Sequence, residues 1–331
     1  MVEEMTYTET IHYLLKNTTL QEADIYHYNG KSSEDYFEKL FQFYSRNLDH
    51  NKKFGANPSY VVFYDTTETY AKAKVSKQHY MVVFDRKLIN KLSQWYNSYF
   101  DFGNIEGLEE FKLLEEEIDF KISELLEHAI IHFTFYHEFA HLIQFATDDE
   151  IEREEKLFGD CNFEPHKHIE EYDADIFSGI CISAHIYQFI DSHLGGNIDK
   201  NKLNDFIAIT ISGIMVYILS LPMCKEIFYT KESSHPHNSI RVNYINMAII
   251  QNFKDIISQQ ENNITIDEDY IRGRSFMILK SLLSHFGLDD IKTRFSEDMG
   301  NNWESIQNYQ QELHKCFLEY EISAVTKWNA V

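Results

Sequence analysis

The side chains best able to do chemistry are His137, Glu138 and His141, which form an H-E-x-x-H motif. Residues four apart on a helix lie on the same face, so the two histidines can each direct one ring nitrogen at a single ion. Neutral imidazole is a good zinc ligand. Glu138 lies about 100° further around the helix, where it can take a proton from a water molecule that the metal activates. The motif therefore predicts a catalytic zinc centre.

The sequence around the motif is apolar, which predicts that its helix is buried. Two histidines and a glutamate are costly to bury unless they are paired or bound to a metal. A chance match on a histidine-rich helix is the alternative, because His128 and His132 lie in the same helix and are also four residues apart. We interpret these two histidines as structural, or as lying near the site, rather than as a second metal pair.

A catalytic zinc site needs three protein ligands and one open position. The extended motif with a third histidine six residues after the second does not occur here, because Thr147 stands at that position and Gln144 replaces the glycine. The third ligand must therefore come from another segment. The acidic stretch at residues 170–175, about 30 residues past His141, offers the best candidates.

At this stretch the sequence resembles the gluzincin superfamily of zinc metallopeptidases, in which a downstream helix carries Glu-x-x-x-Asp, the spacing of Glu171 and Asp175. The segment is also similar to the E-x-E-A-D-x-F-A pattern of ImmA/IrrE-type minigluzincins, with Asp173 in place of the second Glu and Ser178 in place of the last Ala. The resemblance implies that Glu171 is the third zinc ligand and that Asp175 orients a ligating histidine. Three other residues remain alternatives for the third ligand: Glu170, His166 and His168.

A second short motif, H-P-x-x-x-x-R, runs from His235 to Arg241. It resembles a segment of HtpX-like and related gluzincins, in which a His-Pro lies near the site and a basic residue follows that histidine by six positions. The resemblance implies that His235 or Arg241 approaches the metal and stabilises the oxyanion of a tetrahedral intermediate. Two alternatives remain: Arg241 could pair with an acidic residue such as Asp175, or the motif could be a simple turn before a helix.

The elements that must position these residues predict an α+β fold that is predominantly helical. The chain holds only 4 Pro and 12 Gly, which favours long helices. Runs of β-branched and aromatic residues predict strands at 60–64 and 80–84, and alternation with lysine predicts an exposed edge strand at 71–76. We expect a small antiparallel sheet packed on a gluzincin helical core, with additional C-terminal helices. The expected helices lie at 88–100, 107–124, 124–147, from about 168 to 193, and over 240–325.

The predicted organisation is one continuous globular unit with three regions. An N-terminal helical region covers 1–54, a metallopeptidase core covers 55–250, and a C-terminal helical region covers 251–331. In gluzincins an edge strand binds the substrate in extended form through main-chain hydrogen bonds. The resemblance places that strand within residues 71–84.

The formal net charge of -23 argues against nucleic acid as a partner, because an acidic surface repels phosphate. The run from Phe206 to Cys224 carries no charged residue and is about long enough to span a bilayer. We interpret this run as a buried core helix because it contains several polar residues and a proline. A membrane segment is the alternative.

The four cysteines predict neither a cysteine zinc site nor a disulfide scaffold, because no two are close in sequence and no C-x-x-C pair occurs. The first ten residues are polar and acidic, unlike a signal peptide. Both observations favour a cytoplasmic location.

Together these features predict a zinc-dependent endopeptidase, a hydrolase that cleaves a protein or peptide substrate with Glu138 as general base. The HEFAH core, the length and the expected cytosolic setting also resemble the Lit-type phage-exclusion peptidases. The alternative is a regulatory or defence-related zinc-binding protein of the ImmA/IrrE type that acts mainly by binding a partner. Glu138 argues against a purely structural zinc site, since such a site needs no general base and is usually closed by four ligands. A membrane-associated peptidase is a third possibility.

Overall fold

The structure is a computed structural model that describes residues 5–67, 69–96, 100–148, 150–154, 162–194, 200–259 and 265–329. These residues form four strands, β1 (Ser59–Tyr64), β2 (Ala71–Ser76), β3 (His79–Asp85) and β4 (Glu152–Glu154). The helices are α1 (Tyr7–Asn17), α2 (Glu34–His50), α3 (Arg86–Trp95), α4 (Lys112–Glu117), α5 (Ile122–Thr147), α6 (Pro165–Leu194), α7 (Lys200–Ser220), α8 (Asn238–Ser258), α9 (Glu268–His285), α10 (Asp289–Asn301), α11 (Trp303–Leu318) and α12 (Ala324–Asn329). The predicted fold class, α+β and predominantly helical, is confirmed.

The four strands form one sheet in the order β1-β3-β2-β4. β2 and β3 are antiparallel, and the two-residue turn between them has positive φ angles of 47° at Lys77 and 63° at Gln78, as tight hairpins require. β1 lies on the other side of β3 and runs parallel to it. The sheet is therefore mixed, and the prediction of an antiparallel sheet is wrong for β1. The reason is that consecutive strands usually pair, whereas β1 pairs with β3 and not with β2.

β4 is the strand that the sequence did not predict. All three of its residues are charged, so neither alternation nor a β-branched run marks it. It pairs antiparallel with the end of β2. The Glu154 carboxylate accepts a hydrogen bond from Lys74 Nζ at 2.8 Å and another from Lys72 Nζ. These bonds hold a strand whose own side chains bury little apolar surface.

β1 and β3 are buried at consecutive residues rather than at alternate ones. Apolar runs such as Val61-Val62 and Val82-Val83 therefore face covered surfaces on both sides of the sheet. α2 packs against β1, and the ring of Phe37 lies edge-on to that of Phe63 with centroids 5.0 Å apart. This aromatic contact fixes the position of α2 on one face of the sheet.

The H-E-x-x-H segment lies in α5, a helix of 26 residues that contains neither Gly nor Pro. The predicted helix at 124–147 is confirmed. The predicted helix at 107–124 is wrong in its extent, because the chain forms a 3-10 turn at Glu109–Phe111 and then only the short α4. α4 ends in a run of three glutamates, and negative charge at the C-terminal end of a helix opposes its dipole. Ile118 is accordingly extended, with φ -105° and ψ 153°.

α6 confirms the helix predicted from about 168 to 193. It packs along α8, and small residues allow a close approach: a Cβ added at Gly179 would lie 3.3 Å from the Cβ of Ala248. The predicted helix stop at 195–196 lies outside the described residues.

α7 contains most of the uncharged run and ends before Cys224. Among the described residues, Asn201–Ser220 is the only helix long and apolar enough to cross a membrane, and 89% of its apolar window is buried. It packs closely on α5, since a Cβ added at Gly213 would lie 2.6 Å from Leu126 Cδ2. This burial matches the interpretation of the run as a core helix.

The chain divides into two compact units. The first comprises residues 1–92, 137–157 and 321–331 and contains the sheet. The second comprises residues 93–136 and 158–320 and contains α4 and α6 to α11. The organisation into regions 1–54, 55–250 and 251–331 stays a prediction.

Cys224 is disulfide-bonded, whereas Cys181 and Cys316 are free thiols. Cys161 lies outside the described residues. The spacing of the cysteines in the sequence argued against a disulfide scaffold and did not indicate this bond at Cys224. Disulfide formation depends on the spatial separation of two cysteines, which their spacing in sequence does not report. The cytoplasmic location, which rested partly on the cysteines, stays a prediction.

Candidate metal centre

His137 and His141 occupy one face of α5, a single turn apart. Their Nε2 atoms face each other at 3.2 Å, and the ring planes are inclined at 83°. Only 8% of His137 and 0% of His141 is exposed. The motif helix thus brings two buried imidazole nitrogens to one point, as the four-residue spacing predicted.

The orientation of His141 is fixed by Gln144, one turn further along α5. The distance from His141 Nδ1 to Gln144 Oε1 is 2.7 Å. An amide oxygen only accepts hydrogen bonds, so Nδ1 carries the proton and donates it. Nε2 then carries the lone pair that a metal ion would bind. This role of Gln144 was not predicted from the sequence, although a spacing of three on a helix could have indicated it.

Glu171, on α6, completes the group. One ligand atom from each of His137, His141 and Glu171 lies within 4.8 Å of the other two. Glu171 is only 3% exposed. Within the described residues, this is the only group of three or more His, Cys, Asp or Glu side chains whose ligand atoms approach so closely. The residues predicted as metal ligands are therefore brought together.

The group fits a divalent metal ion. Two nitrogens bound at about 2.0–2.1 Å to a tetrahedral zinc ion lie about 3.3–3.4 Å apart, close to the 3.2 Å between the two Nε2 atoms here. Two neutral imidazoles and one carboxylate form the His₂Glu ligand set found in catalytic zinc sites. The chemistry of the donors supports metal binding in general, since nitrogen and oxygen ligands also suit other divalent ions.

The other candidates for the third ligand lie outside this group. Glu170 is buried, whereas His166 is exposed at the start of α6. His168 is fully buried, and its two ring nitrogens lie 2.7 Å from the carbonyl oxygen of Ser233 and 2.8 Å from the hydroxyl of Tyr309. His168 is thus engaged in hydrogen bonds away from the group.

Both residues of the H-P-x-x-x-x-R motif lie at the carboxylate of Glu171. His235 Nε2 is 3.3 Å from Glu171 Oε1, and Arg241 Nη2 is 3.5 Å from Glu171 Oε2. The structure therefore places the motif beside the third ligand. A role for either residue in stabilising an oxyanion stays a prediction.

Arg241 makes its closer contacts with Asp175. Its Nε and Nη2 donate to the two carboxylate oxygens of Asp175, both at 2.8 Å, and the hydroxyl of Tyr244 donates to Asp175 Oδ2 at 2.7 Å. Burial lowers the pKa of Arg241, but the charges of Asp175 and Glu171 outweigh burial and raise it well above its usual value. The alternative in which Arg241 pairs with Asp175 is therefore observed. A role for Asp175 in orienting a histidine stays a prediction.

Glu138, the predicted general base, directly follows His137 on α5 and is buried. Its role stays a prediction.

His128 and His132 precede the motif on α5, and His132 belongs to another cluster. The ring of His132 stacks on that of His185 with centroids 5.4 Å apart, and the Tyr136 hydroxyl contacts His185 Nε2. Burial, with the nearby histidines His185 and His128, lowers the pKa of His132 well below its usual value. The ring stacking and the lowered pKa of His132 match the interpretation of that residue as structural, whereas His128 is exposed and contacts the ring of His132.

The predicted substrate strand is not at the edge of the sheet along its whole length. β2 has β3 on one side, and β4 covers its other side over Lys74–Ser76. The prediction of an edge strand is therefore wrong over these residues, because the three charged residues of β4 do not form a pattern that predicts a strand. In β4, the guanidinium of Arg153 lies 4.6 Å from the ring centroid of Phe145, which in turn stacks beside the ring of His141 at 6.3 Å. The strand beside β2 is thus in contact with the helix that carries the ligands.

Comparison with known proteins gives no match: no protein-family model, no curated protein and no solved structure matches this chain. The resemblance to gluzincins therefore rests on the motifs.

Proposed function

We propose that the chain is a zinc-dependent metallopeptidase whose active site is centred on His137, His141 and Glu171. The observation that carries this proposal is the approach of one ligand atom from each of these three side chains to within 4.8 Å of the others. Glu138 lies in the same helix, next to the first ligand. A ligand set accompanied by a glutamate of this kind is typical of catalytic rather than structural zinc sites.

Each side chain of the proposed site has its own role in the reaction. A bound zinc ion supplies a Lewis acid that polarises a carbonyl group and makes a water molecule acidic near neutral pH. Glu138 takes the proton from the attacking water and returns it to the departing amine. Gln144 keeps His141 in the tautomer whose Nε2 faces the ligand group. His235 and Arg241 hold the carboxylate of Glu171.

The peptide bond is the proposed target because of the resemblance to gluzincins. Hydrolysis of an amide needs both activation of water and protonation of a poor leaving group, and a glutamate beside a Lewis acid serves both steps. A protein or peptide substrate is therefore the first class to test.

The test is the zinc content of three proteins prepared in parallel: the wild type, Glu171→Gln and Glu170→Gln. Glu170 is a matched control, because it is the neighbouring buried acid on α6 and lies outside the ligand group. We expect about one zinc per chain in the wild type and in Glu170→Gln, and almost none in Glu171→Gln. A wild type that holds no zinc after reconstitution, or equal zinc in all three proteins, contradicts the proposed site.

A further inference from the structure

A chain of hydrogen bonds connects α11 to the third ligand. It begins at His168, which lies one turn before Glu171 on α6 and is fully buried. His168 Nε2 is 2.7 Å from the carbonyl oxygen of Ser233, which can only accept, so Nε2 carries a proton and donates it. Nδ1 then accepts from the hydroxyl of Tyr309 at 2.8 Å. Burial lowers the pKa of His168 to about 4, which keeps the ring neutral, as this arrangement requires.

The next links lie in the loop before α8. The Ser233 hydroxyl accepts from the backbone N–H of His235 at 3.4 Å, and the hydroxyl of Ser234 lies 2.9 Å from His235 Nδ1. When Ser234 donates to Nδ1, the proton of His235 is on Nε2, the atom that lies 3.3 Å from Glu171 Oε1. The loop is thus attached at one end to His168 and at the other to the carboxylate of Glu171.

α11 makes further contacts with the loop before α8 and with α6. Glu312 accepts from Lys231 Nζ, in the loop, at 2.5 Å. The Tyr172 hydroxyl on α6 is 3.2 Å from His314 Nδ1. α11 therefore holds both the loop that carries His235 and the helix that carries Glu171.

We propose that Tyr309 and His168 are positioning residues for the metal centre, which fix the loop at 233–235 so that His235 orients the carboxylate of Glu171. This inference rests on the proposed zinc site and assigns a role to α11 that the motifs do not indicate. Groups that hydrogen-bond a metal ligand from outside the coordination sphere commonly change metal affinity by about 10- to 100-fold when they are removed. We expect removal of the Tyr309 hydroxyl to weaken zinc binding by a factor in this range, through its effect on His235.

The experiment measures the zinc affinity of the full-length apo-protein by competition with a chromophoric chelator. Tyr309→Phe removes one hydroxyl and keeps the ring. Tyr270→Phe is the matched control, because its hydroxyl also donates to a side chain, Asp205 Oδ1 at 2.7 Å, on helices away from the ligand group. We expect Tyr309→Phe to weaken zinc binding about 10-fold or more, and Tyr270→Phe to leave it unchanged.

A double-mutant cycle separates positioning from a general loss of stability. His235→Ala should weaken zinc binding about 10- to 100-fold, and adding Tyr309→Phe to it should weaken binding no further, since the hydroxyl acts through His235. Ser234→Ala, in the same bond chain, provides a second variant and should show a loss like that of Tyr309→Phe. Thermal unfolding of each apo-protein shows whether the variants fold.

The outcomes distinguish this inference from the proposed function. If the wild type binds zinc and Tyr309→Phe binds it equally well, the inference is wrong and the zinc site stands. Fully additive losses in the cycle would also overturn it, because Tyr309 would then act by another route. If the wild type binds no zinc, both proposals are wrong.

Discussion

The two buried glutamates of the site, Glu138 and Glu171, have different neighbouring side chains. Glu171 is flanked by His235 and Arg241, whose side chains contact its two carboxylate oxygens. Such a carboxylate is suited to bind a metal ion. Glu138 lies on the helix of the histidines, where a base is needed. In the proposed site, the same residue type would take two roles because the local environments differ.

For Glu138 we expect a separation of metal binding from catalysis. Glu138→Gln should keep about one zinc per chain and lose peptidase activity by at least about 10²- to 10⁴-fold, since an amide cannot accept the proton of water. Zinc analysis and a casein or peptide cleavage assay on the same preparation measure both quantities. Glu124→Gln, an exposed acid in the first turn of the same helix, is the control and should behave as wild type. Cleavage by Glu138→Gln at the wild-type rate would show that the residue is not the base.

Of the individual site residues, those whose roles depend on spacing within one helix could be predicted from the sequence. His137 and His141 follow from the helical period, and Glu171 was chosen through a motif on a second helix. His168 and Tyr309 could not be recognised in the same way. Their bonds connect residues 65 and 141 positions apart, and no local pattern reports a contact of that range.

Among the elements, β4 depends most on charge. Glu154 lies between Lys72 and Lys74; both lysine side chains are mostly covered, whereas 40% of the Glu154 side chain is exposed. Burial raises the pKa of Glu154, but the hydrogen bonds and charges of the two lysines outweigh burial and lower it below its usual value. A carboxylate whose folded-state pKa is depressed stabilises the fold above its unfolded-state pKa. That stabilisation is lost as pH falls through the folded-state value.

We therefore expect Glu154→Gln to cost about 0.5–1 kcal/mol at neutral pH, the range of a largely exposed ion pair. The difference from wild type should shrink towards zero as the solution is acidified below the usual range of a glutamate. Urea unfolding in steps from neutral pH to about pH 2.5 measures this dependence. Glu319→Gln, an exposed acid after α11, should show no comparable trend. A difference that grows on acidification would mean that Glu154 is protonated in the fold.

Only some of the helices and strands could be predicted from local patterns in the sequence. β1 to β3 and the helices α5 and α6 were predicted because their residue types repeat with the period of a strand or a helix. β4 has three charged residues and no period. The early end of α4 reflects an unfavourable run of glutamates, which an apolar pattern does not register. Strand order depends on long-range pairing, and the parallel contact of β1 with β3 was therefore missed.

For the whole molecule, composition predicted the helical class well. The scarcity of Gly and Pro is consistent with helices such as α6, which has 30 residues. Composition could not predict the division into two compact units, because each unit collects segments that are far apart in sequence.

Zinc binding should be visible in the stability of the whole chain. A ligand that binds only the folded state stabilises it by about 2.7 kcal/mol when the free ligand is at 100 times its Kd. Zinc added to apo wild type should therefore raise the thermal unfolding midpoint, by roughly 3–8 °C. Calorimetry with and without zinc measures the shift. Glu171→Gln should show almost no shift, and an equal shift in that variant would locate the bound zinc elsewhere.

The spread of the site along the chain has a consequence for its synthesis. A ribosome completes α5 and Glu171 well before it reaches Arg241, and Tyr309 comes later still. Until those residues emerge, the carboxylates of Glu171 and Asp175 lack the guanidinium that neutralises them in the finished fold. The nascent chain therefore carries a recognisable motif without a finished site. We expect the chain to take up its metal after translation, as a nearly folded protein that competes for zinc in the cell.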